Sequence, residues 1–184
     1  MTTDTVEAVA SKAKTKSDAF VEMVIERLNG KNSDAALGAA LRRADNPATE
    51  YQSWEYLAKW CDIEKSWERK PFVLIGAALA KAKPHTNGNL GIGQAIARCY
   101  SDEGTYNGNE KDGAKAKLRR LLACDTTEEA CDILRPLLSL ISSRGVPLNY
   151  AGLLQDLLRS NEWFLAHIKP RWAKDFYHKQ EEDK

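Results

Sequence analysis

The chain has 184 residues, of which 43% are hydrophobic, and a formal net charge of +1. That length buries a core in one large domain or two small ones, and so balanced a total charge does not by itself mark a strongly basic nucleic-acid binder. No apolar run approaches the roughly 18 residues of a membrane span, and the opening MTTDTVEAVASKAKTKSDAF lacks the apolar segment of a secretory signal, so a cytoplasmic protein is expected.

The four cysteines, Cys61, Cys99, Cys124 and Cys131, form no CxxC pair and no close cluster with histidine. A zinc site wants paired ligands two to four residues apart, so no metal or cofactor is expected, and each thiol reads as a small hydrophobe. The charge is unevenly distributed. Residues 1–63 sum to −2, residues 64–120 to +5, residues 121–134 to −4 and residues 135–179 to +4. Two basic blocks flank a short acidic one, and if they fold onto one face they make a positive surface that the total conceals.

In chain order, residues 1–16 are small, polar and lysine-bearing and read as a mobile tail. Ser17 is a good N-cap for a helix with Phe20, Val24 and Leu28 on one stripe, ended by Asn29-Gly30. Ser33 starts a second helix with Leu37 and Leu41 on one face and Arg42-Arg43 at its end, before Asp45-Asn46-Pro47 breaks the chain. Trp54, Leu57 and Cys61 mark a short helix. Pro71 fits the first turn of the next, whose Phe72, Leu74, Ile75, Ala78 and Leu79 make it apolar around much of its circumference and therefore central. Lys83-Pro84 closes it. The stretch from His85 to Gly113 is glycine-rich: Leu90 to Tyr100 reads as a helix, and 101–113 as a flexible loop.

Lys115 to Ala123 reads as a basic helix with Leu118, Leu121 and Leu122 inward. Thr126 with Glu129 makes a capping box for a helix carrying Ile133, Leu134, Leu137, Leu138 and Ile141, with a kink expected at Pro136. Gly145 is its C-terminal glycine, Asn149 caps the next helix, and a last amphipathic helix runs from about Glu162 to His178, interrupted at Pro170. No stretch alternates like a strand. The expected fold is all-α, two small helical bundles in series: 17–100, then the 101–113 loop, then 114–180. Leu74, Ile75, Ala78, Leu137, Leu138, Ile141, Leu154 and Leu157 form the expected core.

No motif calls for catalysis. Gly91-Ile92-Gly93-Gln94-Ala95 lacks the third glycine and preceding strand of a dinucleotide loop, no GxSxG exists, and His85, His167 and His178 are scattered. What remains is arginine and lysine on or beside helices: Arg42, Arg43, Arg69, Lys70, Lys115, Lys117, Arg119, Arg120, Arg135, Arg144, Arg159, Lys169 and Arg171. Helices present cations at fixed spacings, as contact with a phosphate backbone requires. The aromatic residues offer base stacking, though Trp54, Trp60, Trp163 and Trp172 read first as core.

LRPLLSLISSRGVPLNYAGLLQDLL at residues 134–158 resembles the C-terminal signature of the CasB family, the small subunit of type I-E CRISPR Cascade, and the likeness continues in RWAKDFY at 171–177. LGIGQAIARC at 90–99 resembles that family's S-L-G-x-A-L-A segment through Gly91, Gly93, Ala95 and Ala97. The resemblance implies two helical bundles and no catalytic activity. It implies a pair of copies bound to other Cascade subunits, guide RNA and target DNA, helping to hold the unwound DNA and brace the backbone subunits. Arg43 and Arg135 match family basic positions, Arg69 or Lys70 falls near another, and Cys124 stands where family members often carry arginine. Arg42, Arg119, Arg120, Arg144 and Arg171 join the candidate nucleic-acid-binding set on charge. The favoured function is thus a non-catalytic, sequence-independent nucleic-acid-binding subunit that stabilises the R-loop. The alternatives are a helical scaffold that binds only protein, and an enzyme using Cys or His.

Overall fold

A computed structural model describes residues 14–178. The first helix, α1 (Lys16–Asn29), is capped by Thr15 and not by Ser17: the Thr15 hydroxyl accepts from the Asp18 N–H at 3.1 Å, and the Asp18 carboxylate takes the Thr15 N–H in return. Ser17 is buried inside the helix. Residues 14–16, expected in the tail, therefore lead into or begin α1, while the rest of that expected tail lies outside the described residues. In α2 (Ala35–Arg43) the cap is Asp34, one residue after the expected Ser33, because its carboxylate accepts from the Leu37 N–H at 2.8 Å.

A 3-10 turn (Glu50–Ser53) leads into the short α3 (Trp54–Leu57). The central helix α4 (Ser66–Ala82) starts five residues before Pro71, so that proline sits in the helix interior and not in its first turn. Helix α4 ends at Lys83, whose φ of 46° puts it in the left-handed region. Then come α5 (Ile92–Tyr100), a 3-10 turn (Gly108–Glu110), α6 (Asp112–Leu122) and α7 (Thr127–Ser143). Helix α7 runs unbroken through Pro136. Its N-terminus shows half of the expected capping box: Thr126 accepts from the Glu129 N–H at 3.1 Å, but the Glu129 carboxylate takes the Asp125 N–H. Its C-terminus is a Schellman motif. Gly145 (φ 64°) donates to Ser142 and Val146 donates to Ile141, which satisfies two of the orphan carbonyls.

Asn149 caps α8 (Tyr150–Leu157), accepting from the Gly152 N–H at 2.8 Å. The final segment is helical throughout: α9 (Asn161–Trp163), a π-helical turn (Phe164–Ile168) and α10 (Lys169–Tyr177). Pro170 does not interrupt it. The wide turn just ahead, where the Lys169 N–H reaches back to the Phe164 carbonyl, accommodates the proline.

No β-strand occurs among the described residues; Leu90 and Leu148 make one isolated bridge. The Asn87 carboxamide strengthens that crossing by donating to the Asn149 side chain and accepting from the Tyr150 N–H, both at 2.8 Å. The fold is all-α, but two bundles in series are not confirmed by the packing. Helix α4 lies along α7, α1 packs on α8, and one apolar cluster runs from Phe20 to Phe176. Seven of the eight expected core residues are buried, and Ala78 is partly so. The segment 101–113 is hydrogen-bonded, with the Asn107 side chain bridging Asp102 and Thr105, and Gly108 buried against α5.

Trp172 and the partly buried Trp60 pack in or against the core as expected, whereas Trp54 (38% exposed) and Trp163 (46%) do not. Both lie near helix starts on the surface, where arginines cover them: Arg69 over Trp54 at 5.5 Å and Arg159 over Trp163 at 5.9 Å. All four cysteines are buried free thiols. Burial pushes Cys61 and Cys99 up to about 11 and Cys131 to about 12, and raises Cys124 as well, the opposite of the lowered value that marks a reactive thiol. No group of three metal-ligating side chains occurs among the described residues, and no helix there is long and apolar enough to cross a membrane.

Candidate nucleic-acid interface

The nine candidate cations divide by what their own chain does with their charge. Four are held by carboxylates. Arg69 is paired with Glu50 at 2.7 Å and also donates to the Ile63 carbonyl. Lys70 lies 3.8 Å from Glu128, and Arg171 is hydrogen-bonded to Asp156. Arg135 donates to both the side chain and the main-chain carbonyl of Asp45, the latter at 2.8 Å, and approaches Asp132 at 3.8 Å. Asp45 also receives Lys81. Burial opposes its ionisation, yet the hydrogen bonds and charges of Lys81 and Arg135 outweigh that and hold its carboxyl below the ordinary aspartate value. The Arg135–Asp45–Lys81 group therefore ties α7 and α4 to the turn after α2.

The other five have no carboxylate partner among the described residues. Arg42 and Arg43 are exposed at the end of α2. Arg42 reaches the Ala80 carbonyl at 3.5 Å, and Arg43 donates to the Gln52 carboxamide at 3.0 Å. Arg144 is exposed at the end of α7. Arg119 and Arg120 are exposed on α6, which buries Ala114, Leu118 and Leu121 at i, i+4 and i+7. That stripe turns the opposite side of α6 to solvent. Lys117 with Arg120 and Lys115 with Arg119 form two rows, at i, i+3 and i, i+4 spacing. None of these four cations has a carboxylate partner among the described residues, so α6 carries an unneutralised positive surface. Lys169, by contrast, donates to the Cys124 carbonyl at 2.6 Å.

The model of the CRISPR-associated protein Cse2 family matches residues 38–177. The chain belongs to that family. Its fold is similar to three solved structures. One, described as a CRISPR RNA-guided surveillance complex, is 20% identical with a TM-score of 0.67, covering 88% of this chain and 91% of the other. The others, both from Thermus thermophilus, are CasB (TM-score 0.66) and TTHB189, a CRISPR-associated protein of the Cse2 family (TM-score 0.67). Each is 23% identical and covers 88% of this chain and 97% of the other. No curated protein matches the chain.

In this Cse2-family chain two of the family-like segments meet in space: α5, carrying Gly93, Ala95 and Ala97, packs along α10, carrying RWAKDFY. These motifs build the core. On sequence alone Arg43 and Arg135 carry equal weight, but the fold distinguishes them. Lys115 and Lys117 had no more than a place among the basic residues, although their i+3 and i+4 spacing to Arg119 and Arg120 in a helix with three inward apolar residues was the available signal.

Proposed function

We propose that the chain is a non-catalytic subunit of a CRISPR RNA-guided surveillance complex, binding the nucleic-acid backbone and stabilising the R-loop and displaced strand. Its partners are the other subunits of the complex, guide RNA and target DNA, with a second copy beside it. In such assemblies pairing with the guide reads sequence, and protein supplies backbone contacts. The observation that supports the nucleic-acid role is α6, where the exposed Lys117, Arg119 and Arg120 and the half-buried Lys115 lie in two rows with no carboxylate partner among the described residues. Arg42, Arg43 and Arg144 extend the unpaired set. Arg69, Lys70, Arg135 and Arg171 act first on the fold, because their charges are already partnered.

The test is a titration of single-stranded and duplex DNA at several salt concentrations, using the assembled complex with wild-type chain and with Arg119→Gln plus Arg120→Gln. For each phosphate that the variant no longer neutralises, the logarithmic salt slope should flatten by about 0.7–0.9, equally for all sequences. An unchanged slope and unchanged R-loop stability would favour a scaffold that binds only protein. Tyr51, Trp67, Leu165 and Tyr177 are exposed apolar side chains that such a scaffold would use for protein contact.

A further inference from the structure

Between α6 and α7 lies an open groove of about 390 Å³ lined by Tyr100, Lys117, Arg120, Asp132, Ile133, Pro136, Leu137 and Leu140. Tyr100 ends α5, and its ring rests on the first turn of α6: a Cβ built on Gly113 would stand 2.9 Å from the Tyr100 Cε1. Gly113, Lys117 and Arg120 follow one another at i, i+4 and i+7, so the ring and the two cations share one stripe of α6. The facing wall is α7, where Pro136 is exposed and Ile133 and Leu140 are half-buried. Pro136 has no N–H, so the helical ladder offers no i+4 donor to the Asp132 carbonyl. The groove thus combines an aromatic ring, a flat aliphatic wall, a main-chain carbonyl without an i+4 donor, two cations, and the Asp132 carboxylate, which Arg135 approaches at 3.8 Å.

We propose that this groove seats one unpaired nucleobase of a bound strand, which rests on the backbone-binding function proposed above. The base lies between the Tyr100 ring and the Pro136–Leu140 wall, its amino or imino group donates to the Asp132 carbonyl, and Lys117 and Arg120 hold the adjoining phosphates. Stacking of this kind tolerates any base, because every base presents a π-face. The hollow beside Asp45 between α4 and α7 has no comparable role, since its Lys81 and Arg135 are already engaged by that aspartate.

The experiment compares two single-stranded oligonucleotides with equal numbers of phosphates, one ordinary and one with abasic sites, binding to the full chain both free and in the assembled complex. The ordinary strand should bind about tenfold more tightly for each seated base. Tyr100→Ala should abolish that preference and leave the salt slope intact, while Tyr100→Phe should keep it. Leu140→Asp, at a half-exposed position, gives an independent test of the same groove: it should weaken the ordinary strand and not the abasic one. A strand carrying 4-thiothymidine should cross-link to the groove. Equal affinity for both strands with a steep salt slope overturns the base seat and leaves backbone binding standing. Failure of both strands to bind, in the free chain and in the complex, removes the proposed function and this inference together. A photo-reactive residue at position 140 that cross-links to a protein subunit in place of nucleic acid also overturns it.

Discussion

Gly93 lies beneath the main-chain carbonyl of Trp172. A Cβ built on Gly93 would come within 2.1 Å of that oxygen and 2.8 Å of the Phe176 nitrogen, so α5 and α10 touch backbone to backbone and only hydrogen fits between them. Trp172, fully buried, is fixed on its other sides by the edge of Phe164 at 5.4 Å and by its indole N–H donating to Asp156 at 2.8 Å. A methyl at position 93 therefore meets main chain that no rotamer change can move. Gly93→Ala is expected to lower stability by about 1–3 kcal/mol or more. Urea unfolding would show it as a lower midpoint, and an unaltered midpoint would mean the two helices separate freely.

Leu138 faces α4 from the middle of α7 and is 2% exposed. Truncation at that site removes transfer free energy and leaves a cavity between two long helices. Leu138→Ala should cost about 2–5 kcal/mol. A loss below about half a kcal/mol would show that α4 and α7 close over the space.

Asp45 should make the fold acid-sensitive. Its folded-state pKa lies below the unfolded value, so its stabilising contribution is present above the ordinary aspartate range near 4 and is lost as pH falls through the folded-state value. Asp45→Asn should flatten the fall in stability between about pH 5 and pH 2. Asp34, Asp62 and Asp102 are also held below the ordinary value, so part of the acid sensitivity should survive the substitution. Urea midpoints across that range decide it; parallel curves for wild type and variant would show that Asp45 titrates alike folded and unfolded.

The helices were legible because each carries its own punctuation. The Asn149 cap, Gly145 and the 3.6-residue stripe of α7 are local signals, and they placed α7 and α8 closely. Caps with adjacent alternatives were not separable by residue type. Thr15 lies two residues before Ser17 and Asp34 one after Ser33, and the choice depends on which oxygen reaches the third amide. Two prolines misled for a related reason. Pro71 sits inside a helix and not in its first turn, and Pro170 follows a π-helical turn without interrupting the helix, because tertiary packing keeps these helices continuous despite the missing N–H, whereas Pro136 lies inside α7 as its sequence context suggests. The candidate interface was the least legible part. Arg135 meets Asp45 across 90 positions of sequence, and no local pattern shows which arginines a distant carboxylate will neutralise.

The distant Asp45 carboxylate separates Arg43 from Arg135, the two positions best matched to the family. Arg43 is exposed, and among the described residues its guanidinium donates to the uncharged Gln52 carboxamide and meets no carboxylate, so its charge is available to a phosphate. Arg135 is about two-thirds buried and held by Asp45, with α7 joined through it to the turn after α2. Removing it leaves Asp45 with Lys81 alone and an uncapped carbonyl. Arg135→Gln is therefore expected to lower the stability of the free chain by about 1–3 kcal/mol, the range of a charged hydrogen bond between partly exposed groups. Arg43→Gln should leave stability within about half a kcal/mol. In the assembled complex the order reverses: Arg43→Gln should flatten the salt slope of DNA binding by about 0.7–0.9, and Arg135→Gln, measured where the chain remains folded, should flatten it less. Thermal unfolding of the free variants beside salt titrations of the complexes resolves both effects. Equal slope changes from the two variants, with no loss of stability from Arg135→Gln, would show that the Asp45 pair gives way to nucleic acid and that Arg135 belongs with the unpaired cations of α6.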